Sequence, residues 1–308
     1  MSKAILTAPY FRDEAAAFAM LESIVWPNGP VCPKCGAVDR IGSLEGVTDK
    51  KGRVRLGLKK CYHCRSQFTV RVGTVFESSH VPLHLWFQAV YLMCSSKKGV
   101  SSNQLHRTLG VTLKTAWFMS HRIREAMVDG TLPKLGGEGK AIEADETYIG
   151  TRKGIKKSRG GAHKNKVVTL VERGGKARSF HVDMVSRKDI KALLLKNADT
   201  ASFLNTDEAG WYVLAGKEFA KHEAVNHSKE EYVRGDAHTN TVEGFYSVFK
   251  RGMKGIYQHC SEKHLHRYLA EFDFRYNQRI ALGVDDKERT VKALYGIVGK
   301  RLTYRDSR

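Results

Sequence analysis

The sequence is poor in acidic residues and has no long apolar run. Its 308 residues include 32 Asp and Glu against 52 Lys and Arg, which gives a net charge of +20 with the histidines neutral. The most apolar stretch, residues 81–93, contains His84 and Gln88 and falls short of the roughly 20 apolar residues that span a bilayer. We therefore expect no membrane association, and the excess of positive charge predicts a polyanionic partner.

Internal repeats of solenoid length are also missing, and the chain has only six prolines. Hydrophobic residues make up 42% of the chain, which is enough to build cores and excludes a wholly disordered basic tail. The length favours about two domains.

The first residues, MSKAILTAPYFRDE, lack the apolar core of a signal peptide. We therefore expect a cytoplasmic protein in a reducing compartment, where cysteines rarely form disulfides. The six cysteines are then expected to be free thiols or metal ligands.

Four of the cysteines form two Cys-x-x-Cys pairs, Cys32 with Cys35 and Cys61 with Cys64. Four thiolates at this spacing can close a tetrahedral shell around Zn²⁺, so the sequence predicts a zinc ribbon. Because a closed shell leaves no open coordination position, the zinc is expected to fold the module and to do no chemistry. The alternative is a redox pair, but such a site uses one Cys-x-x-Cys beside a βαβ unit.

A helix-turn-helix pattern follows the cysteines. Ser101 can cap a first helix, Gly110 supplies a turn, and Thr112 can cap a second helix. One face of the second helix is predicted to meet a DNA major groove. The DNA-binding candidates on that face are Lys114, His121 and Arg122. The alternative is a plain helical hairpin that supports the zinc module.

After a glycine-containing break at 130–139, the pattern changes to strands and helices. Strands are predicted over 141–149, 167–172, 179–185 and 202–206, and helices over 189–197, 239–253 and 262–277. This order predicts a mixed sheet flanked by helices.

Acidic residues occur where the predicted strands could bring them together. Asp145 lies in the first strand and Asp207 ends the fourth, so if these strands pair, about 4.8 Å apart, the two side chains can share a cation. On a helical wheel, Glu243 lies beside Lys250 and Lys254, away from the apolar stripe. A simple surface charge pattern would look the same on that helix.

Other acids compete for the same site. Glu143 shares the strand face of Asp145 and could flank the site, whereas alternation points Glu146 to the other face. We expect these, and the remaining nearby acids, to be structural.

A basic segment, residues 151–166, separates the first two strands. It holds seven Lys and Arg and no acid, so we expect a loop that contacts phosphates without reading sequence. The residues singled out there are Lys153, Lys156 and Lys157. The alternative is a flexible loop that is merely solvated.

Longer stretches of the sequence resemble a known family. CYHCRSQFTVRVGTVFE, KKGVSSNQLHRTLGVTLKTAWFMSHRIREAM, EADETYIG, HTNTVEGFYSVFKRG and HLHRYLAEFDFRYNQR are similar to segments of bacterial insertion-sequence DDE transposases with an N-terminal zinc ribbon. The resemblance covers roughly residues 10–280. It implies a multi-domain α/β protein whose catalytic domain is ribonuclease-H-like, of the integrase type.

The resemblance also implies roles for single residues. Asp145, Asp207 and Glu243 would be the catalytic acids and would bind two Mg²⁺ or Mn²⁺ ions. Because some members of the family have Asn at the third position, Asn240 is an auxiliary or alternative ligand. The basic residues Lys250, Arg251 and Lys254 would hold the DNA backbone.

From these patterns we expect a zinc-ribbon region at 1–80, a helix-turn-helix segment at 81–130, a catalytic domain at 138–280 and a basic C-terminal tail at 281–308. The predicted function is a transposase that binds terminal inverted repeats and target DNA. It is expected to form a homo-oligomer, because two transposon ends must be joined. The alternatives are a non-catalytic DNA-binding regulator and a nuclease or resolvase of the same fold.

Overall fold

The computed structural model describes residues 4–130, 133–152, 154–156 and 161–303. The chain forms two compact units. One unit comprises residues 1–96, 100–128 and 286–308, and the other comprises 97–99 and 129–285.

The first unit begins with helix α1, Glu14–Val25, which starts where the Asp13 carboxylate accepts a hydrogen bond from the Ala16 N–H at 2.7 Å. A small antiparallel sheet follows, with strands in the order β1-β2-β3. Its strands are β1 Ile41–Ser43, β2 Lys59–Cys61 and β3 Gln67–Phe68. This sheet carries the cysteine pairs, as expected of a zinc ribbon.

Three helices continue the first unit: α2 Leu83–Ser95, α3 Ser102–Leu109 and α4 Leu113–Met127. The predicted caps are confirmed, because Ser101 accepts from the Gln104 N–H and Thr112 accepts from the Thr115 N–H. Gly110 has a φ of 66°, a left-handed conformation that glycine adopts without strain and that lets the chain turn between α3 and α4. The helix-turn-helix is therefore present.

The second unit contains a mixed five-stranded sheet with the order β6-β5-β4-β7-β8. Strands β4, β5 and β6 pair antiparallel, whereas β7 and β8 run parallel to β4. The strands are β4 Ala141–Ile149, β5 Asn165–Glu172, β6 Ala177–Val182, β7 Phe203–Asp207 and β8 Lys221–Val225. This topology confirms the predicted ribonuclease-H-like mixed sheet.

Helices cover the sheet with apolar side chains in two separate clusters. Ile190 and Leu194 of α5, Arg187–Asn197, pack with Ile142 of β4 and with the short helix α6, Val213–Gly216. The other cluster joins strand β5 to α7, Asn240–Gly252, and α8, Leu265–Asn277. A hairpin of β9, Val233–Arg234, and β10, Ala237–His238, leads into α7.

The predicted basic tail at 281–308 is wrong for its described part, because helix α9, Asp286–Tyr295, packs against α2 and α4 of the first unit. The segment after α9 also pairs with the zinc-ribbon region, where the Gly299 N–H donates to the Gly73 carbonyl at 2.9 Å. Ala293 and Leu294 are buried, so a narrow apolar stripe in a charged sequence is sufficient to dock this helix.

Among the described residues, no helix combines the length and the hydropathy that a membrane crossing requires.

Candidate active site

The four cysteines come together in the first unit. The sulfurs of Cys32 and Cys64 lie 3.6 Å apart, as do those of Cys35 and Cys61, and all four sulfurs lie within 4.8 Å of one another. Phe68 is buried against this cluster. Four sulfur donors at these distances fit a tetrahedral zinc shell, because thiolates so close to one another need a cation between them.

The pairing of β4 with β7 brings two of the predicted acids together. Ala141 lies beside Phe203 and Glu143 beside Asn205 in a parallel register. The same register, carried two residues further, leads to Asp145 and Asp207. Their carboxylate oxygens lie within 4.8 Å of each other, so these two predicted site residues do meet.

A third carboxylate, that of Glu146, belongs to the same close group. The prediction that Glu146 points away from the site is therefore wrong. Strand β7 ends at Asp207 while β4 continues to Ile149. Because β7 no longer lies beside β4 at this point, the Glu146 side chain can reach the space beyond the end of β7 and join the other two carboxylates.

Two side chains that follow β7 hold the Glu146 carboxylate. The Trp211 indole N–H donates to Glu146 Oε2 at 3.1 Å, and the Tyr212 hydroxyl donates to the same oxygen at 2.8 Å. Tyr212 is fully buried. These bonds fix one carboxylate oxygen in place.

Glu243 lines the same pocket but stands apart from this close group. The pocket has a volume of about 500 Å³, and its wall includes Asp145, Asp207, Glu243 and Lys250. Glu243 Oε1 accepts a hydrogen bond from the Thr239 hydroxyl at 3.0 Å and lies 3.5 Å from His227 Nε2. The third predicted acid therefore shares the pocket, and its oxygen is held by local partners.

Helix α7, which carries Glu243, is anchored by a buried carboxylate. Glu143 is fully buried and accepts hydrogen bonds from the backbone N–H groups of Thr241 and Val242, at 2.7 and 3.0 Å. The Arg173 guanidinium lies 2.6 Å from the same carboxylate. Glu143 thus caps the N-terminus of α7 from the neighbouring strand, where a negative charge is favourable.

A second tie links α7 to the strand at the site. The Tyr246 hydroxyl donates to the backbone carbonyl of Asp145 at 2.7 Å. The helix and the strand that carry the candidate acids are therefore joined beside Asp145 itself.

The site is electrostatically strained by its own carboxylates. Burial, followed by the charges of Glu146 and Asp207, raises the pKa of Asp145 to about 8. Burial also raises the pKa of Glu146 and of Asp207. Each pKa unit of such a shift corresponds to about 1.4 kcal/mol by which the ionised carboxylate is disfavoured. A bound cation removes this penalty, so the site favours cation binding.

The basic and polar candidates on α7, and just after it, either line the pocket or are exposed to solvent. Lys250 lines the pocket, with its ammonium 5.8 Å from the centre of the Tyr246 ring. Asn240, the first residue of α7, is exposed, and so are Arg251 and Lys254.

Of the three basic-loop candidates, Lys156 is exposed, whereas Lys153 and Lys157 lie outside the described residues. On α4, Lys114 is exposed. These positions leave Lys114 and Lys156 on the surface of their respective units.

Two DNA-binding predictions on α4 are wrong. His121 is 0% exposed and Arg122 only 6% exposed, so neither can enter a groove. The Arg122 guanidinium donates to the carbonyls of Leu302 and Glu77, at 3.1 and 2.9 Å. The segment after α9 therefore contacts Arg122, on the part of α4 that the helical pattern assigned to DNA.

The sequence-based prediction did not place Glu146 at the site. The only sequence signal for its position was the end of the predicted fourth strand at Asp207, which leaves space beside the following residues of the first strand. Glu143 could have flanked the site but was expected to be structural, and it anchors α7.

Comparisons with known proteins agree with this architecture. Residues 134–277 match the ISXO2-like transposase domain, and residues 12–67 match the transposase zinc-ribbon domain. An uncharacterized protein in transposable element ISH50 of Halobacterium salinarum is 30% identical over 285 residues, which cover 86% of this chain and 91% of that protein.

Solved structures with similarity to the chain include a transpososome and an intasome. A pre-cleavage Mos1 transpososome has a TM-score of 0.28 at 11% identity, covering 63% of this chain and 70% of that one. A simian T-cell lymphotropic virus intasome in complex with a PP2A regulatory subunit has a TM-score of 0.22 at 17% identity, covering 40% and 48%. The sequence matches and the paired strands that carry Asp145 and Asp207 lead to one conclusion: the chain belongs to the insertion-sequence transposase family that combines a zinc ribbon with an ISXO2-like transposase domain.

Proposed function

We propose that this protein is an active DNA transposase that cleaves DNA at the ends of an insertion sequence and joins those ends to target DNA. Asp145, Asp207 and Glu243 would be its catalytic acids. The observation that carries the proposal is the meeting of Asp145 and Asp207 at the end of β7, in a pocket that Glu243 also lines.

The donor set fits Mg²⁺ or Mn²⁺, because all the candidate ligands are hard carboxylate oxygens. Burial and the neighbouring charges raise the pKa of Asp145, so a bound cation would take the place of its proton. When bound, two such ions activate the attacking oxygen and stabilise the leaving oxygen of an in-line phosphoryl transfer. The chain's own part is to hold the carboxylates and the phosphate in place. Asn240, exposed at the start of α7, is an auxiliary ligand in this proposal.

The basic side chains around the pocket would bind the phosphate backbone of DNA. Lys250 lines the pocket wall, so its ammonium can neutralise a phosphate near the scissile bond. Arg251, on α7, and Lys254, in the π-helical segment Met253–Tyr257 that follows it, would extend this contact. The loop residues Lys153, Lys156 and Lys157 would add phosphate contacts that carry no sequence information.

End recognition would belong to the zinc-ribbon region at 1–80 and the helix-turn-helix segment at 81–130, with Lys114 on the exposed part of α4. Catalysis would belong to residues 138–280. A homo-oligomer is proposed because the joining of two ends requires two active sites. The substrate places this activity in the cytoplasm, at the nucleoid.

An end-joining assay tests this function. Purified, zinc-loaded protein is mixed with a labelled DNA end from the inverted repeats that flank its gene, with supercoiled target DNA, in Mg²⁺. We expect labelled target molecules. Nicked ends without joined products would support a nuclease or resolvase, and binding without cleavage would support a regulator.

The matched control is Asp207→Asn, which removes one charge and keeps the side-chain shape. This variant should bind the labelled end like the wild type and give no cleavage, because the cation site loses a ligand. Wild-type cleavage by the variant would remove Asp207 from the active site.

A further inference from the structure

We infer that Glu146 is a further ligand of the divalent cation bound by Asp145 and Asp207. This inference rests on the proposed function, since it adds a carboxylate to the same site. It also changes the composition of the site, because the close group in the folded chain consists of Asp145, Glu146 and Asp207, with Glu243 on the pocket wall.

The three carboxylates lie close enough together to share one cation. The three carboxylates each offer an oxygen within 4.8 Å of the others. Oxygen atoms that ligate one Mg²⁺ at about 2.1 Å lie within about 4.2 Å of one another, so small side-chain movements bring all three to one ion. A cation held by Asp145 and Asp207 therefore lies within reach of Glu146.

Hydrogen bonds hold the Glu146 carboxylate by one of its two oxygens. Both hydrogen bonds to Glu146, from Trp211 and Tyr212, end on Oε2. Neither of these two bonds ends on Oε1, so they leave that oxygen available to a cation. Donors that fix one oxygen of a ligating carboxylate are the usual outer-shell support of a metal site.

The short segment after β7 contacts both Asp207 and Glu146. Trp211 and Tyr212 follow Asp207 closely in sequence, and the Ala209 N–H donates to Asp207 Oδ1 at 3.1 Å. The short segment after β7 therefore positions two carboxylates at once, Asp207 through the backbone and Glu146 through side chains.

Mn²⁺ binding to the zinc-loaded full chain tests the inference without any turnover. Free Mn²⁺ is measured by electron paramagnetic resonance during titration of the wild type and of Glu146→Gln, Asp207→Asn and Glu208→Gln. Glu208→Gln is the matched control, because it removes the same charge beside Asp207 from a carboxylate that accepts hydrogen bonds from Ser228 and the His227 N–H.

We expect Glu146→Gln to weaken Mn²⁺ binding about tenfold or more, as loss of a supporting or ligating group does at metal sites. Glu208→Gln should weaken Mn²⁺ binding much less than Glu146→Gln, because the exposed Glu208 carboxylate accepts hydrogen bonds from Ser228 and the His227 N–H and lies outside the close group. If Glu146→Gln binds Mn²⁺ with wild-type affinity while Asp207→Asn loses affinity, the inference is overturned and the proposed function still holds. Wild-type affinity of Asp207→Asn would instead contradict the proposed cation site.

A positional measurement covers the case in which Glu146→Gln perturbs the fold. Tb³⁺ replaces the hard divalent cation, and its emission is sensitised by nearby indole rings. We expect Trp211→Phe to lose most of the sensitised emission, although three other tryptophans remain. Unchanged emission would place the cation away from Trp211, and therefore away from Glu146, and would overturn the inference.

Discussion

At the scale of single residues, the candidate site is assembled from groups that repel each other. Asp145 has a neighbouring carboxylate on each side, from Glu146 and from Asp207, and burial deprives it of solvation. Active sites commonly retain such unfavourable charges because the ligand relieves them. The stability of the protein without divalent cation should therefore depend on pH.

We expect the apo protein, zinc-loaded but without Mg²⁺ or Mn²⁺, to lose stability as pH rises. Asp145 keeps its proton in the folded state up to about pH 8, whereas in the unfolded chain its pKa is the ordinary 3.8. The unfolded state therefore binds fewer protons between these values, and the free energy of unfolding falls with rising pH. Melting temperatures measured from about pH 5 to about pH 8 test this.

Asp207→Asn is the control for that profile. It removes a charge that raises the Asp145 pKa, so its melting temperature should fall less steeply. Added Mg²⁺ should flatten the wild-type profile, because the cation replaces the proton. A profile with the same slope in both proteins would show that the carboxylates do not interact.

How far the site could be predicted differs from residue to residue. Asp145 and Asp207 were identified because strand ends are readable from alternation and from turn residues, and a single register then brings them together. Glu146 was misjudged because alternation gives the face from which a side chain leaves its strand, and a neighbouring strand was assumed to separate the two faces. Beyond the end of β7 that condition fails, and the loop residues Trp211 and Tyr212 decide where the carboxylate lies.

At the scale of elements, helix α7 depends on Glu143. We expect Glu143→Gln to destabilise the second unit by about 2 to 4 kcal/mol, because it leaves the Arg173 charge without its buried partner. Thermal or urea unfolding would measure the loss. Glu223→Gln, on the edge strand β8 beside Lys221, is the control and should cost less than about 1 kcal/mol. Equal losses in the two variants would mean that Glu143 does not anchor α7.

Helix α4 provides a matched pair of variants. Lys114→Ala should weaken DNA binding and leave the melting temperature unchanged, because Lys114 is exposed. Arg122→Ala should lower the melting temperature, since Arg122 is buried and donates to two backbone carbonyls. Gel-shift titration and calorimetry on both variants would separate the roles. A stable Arg122→Ala protein with impaired DNA binding would restore the original sequence-based prediction.

Elements with strong local patterns were predicted well. Strand β4 and helices α3, α4 and α7 follow from caps and periodicity, and they occupy the expected positions. Strand β8, with the sequence KHEAV, was missed because it is a polar edge strand stabilised by pairing with β7. Helix α9 was missed because its contacts with α2 and α4 join residues far apart in the chain.

At the scale of the whole molecule, the proposed zinc site and the proposed divalent-cation site belong to different units. The four-cysteine cluster lies in the first unit and the carboxylates lie in the second. We expect Cys61→Ser to unfold the zinc ribbon and to weaken binding to the repeat end, because structural zinc supplies folding energy. The melting of the second unit should persist.

Circular dichroism and gel-shift titration would follow that variant. Cys260→Ser, a change to a cysteine outside the cluster, serves as its control. Undiminished end binding by Cys61→Ser would separate the zinc ribbon from DNA recognition.

The central claim is that Asp145 and Asp207 hold a divalent cation at the end of β7. The measurement that tests it most directly is a crystal structure of the zinc-loaded chain soaked in Mn²⁺, with anomalous scattering recorded at the manganese edge. We expect a manganese peak at bonding distance, about 2.2 Å, from both carboxylates. A manganese peak elsewhere, with neither carboxylate in contact, would contradict it.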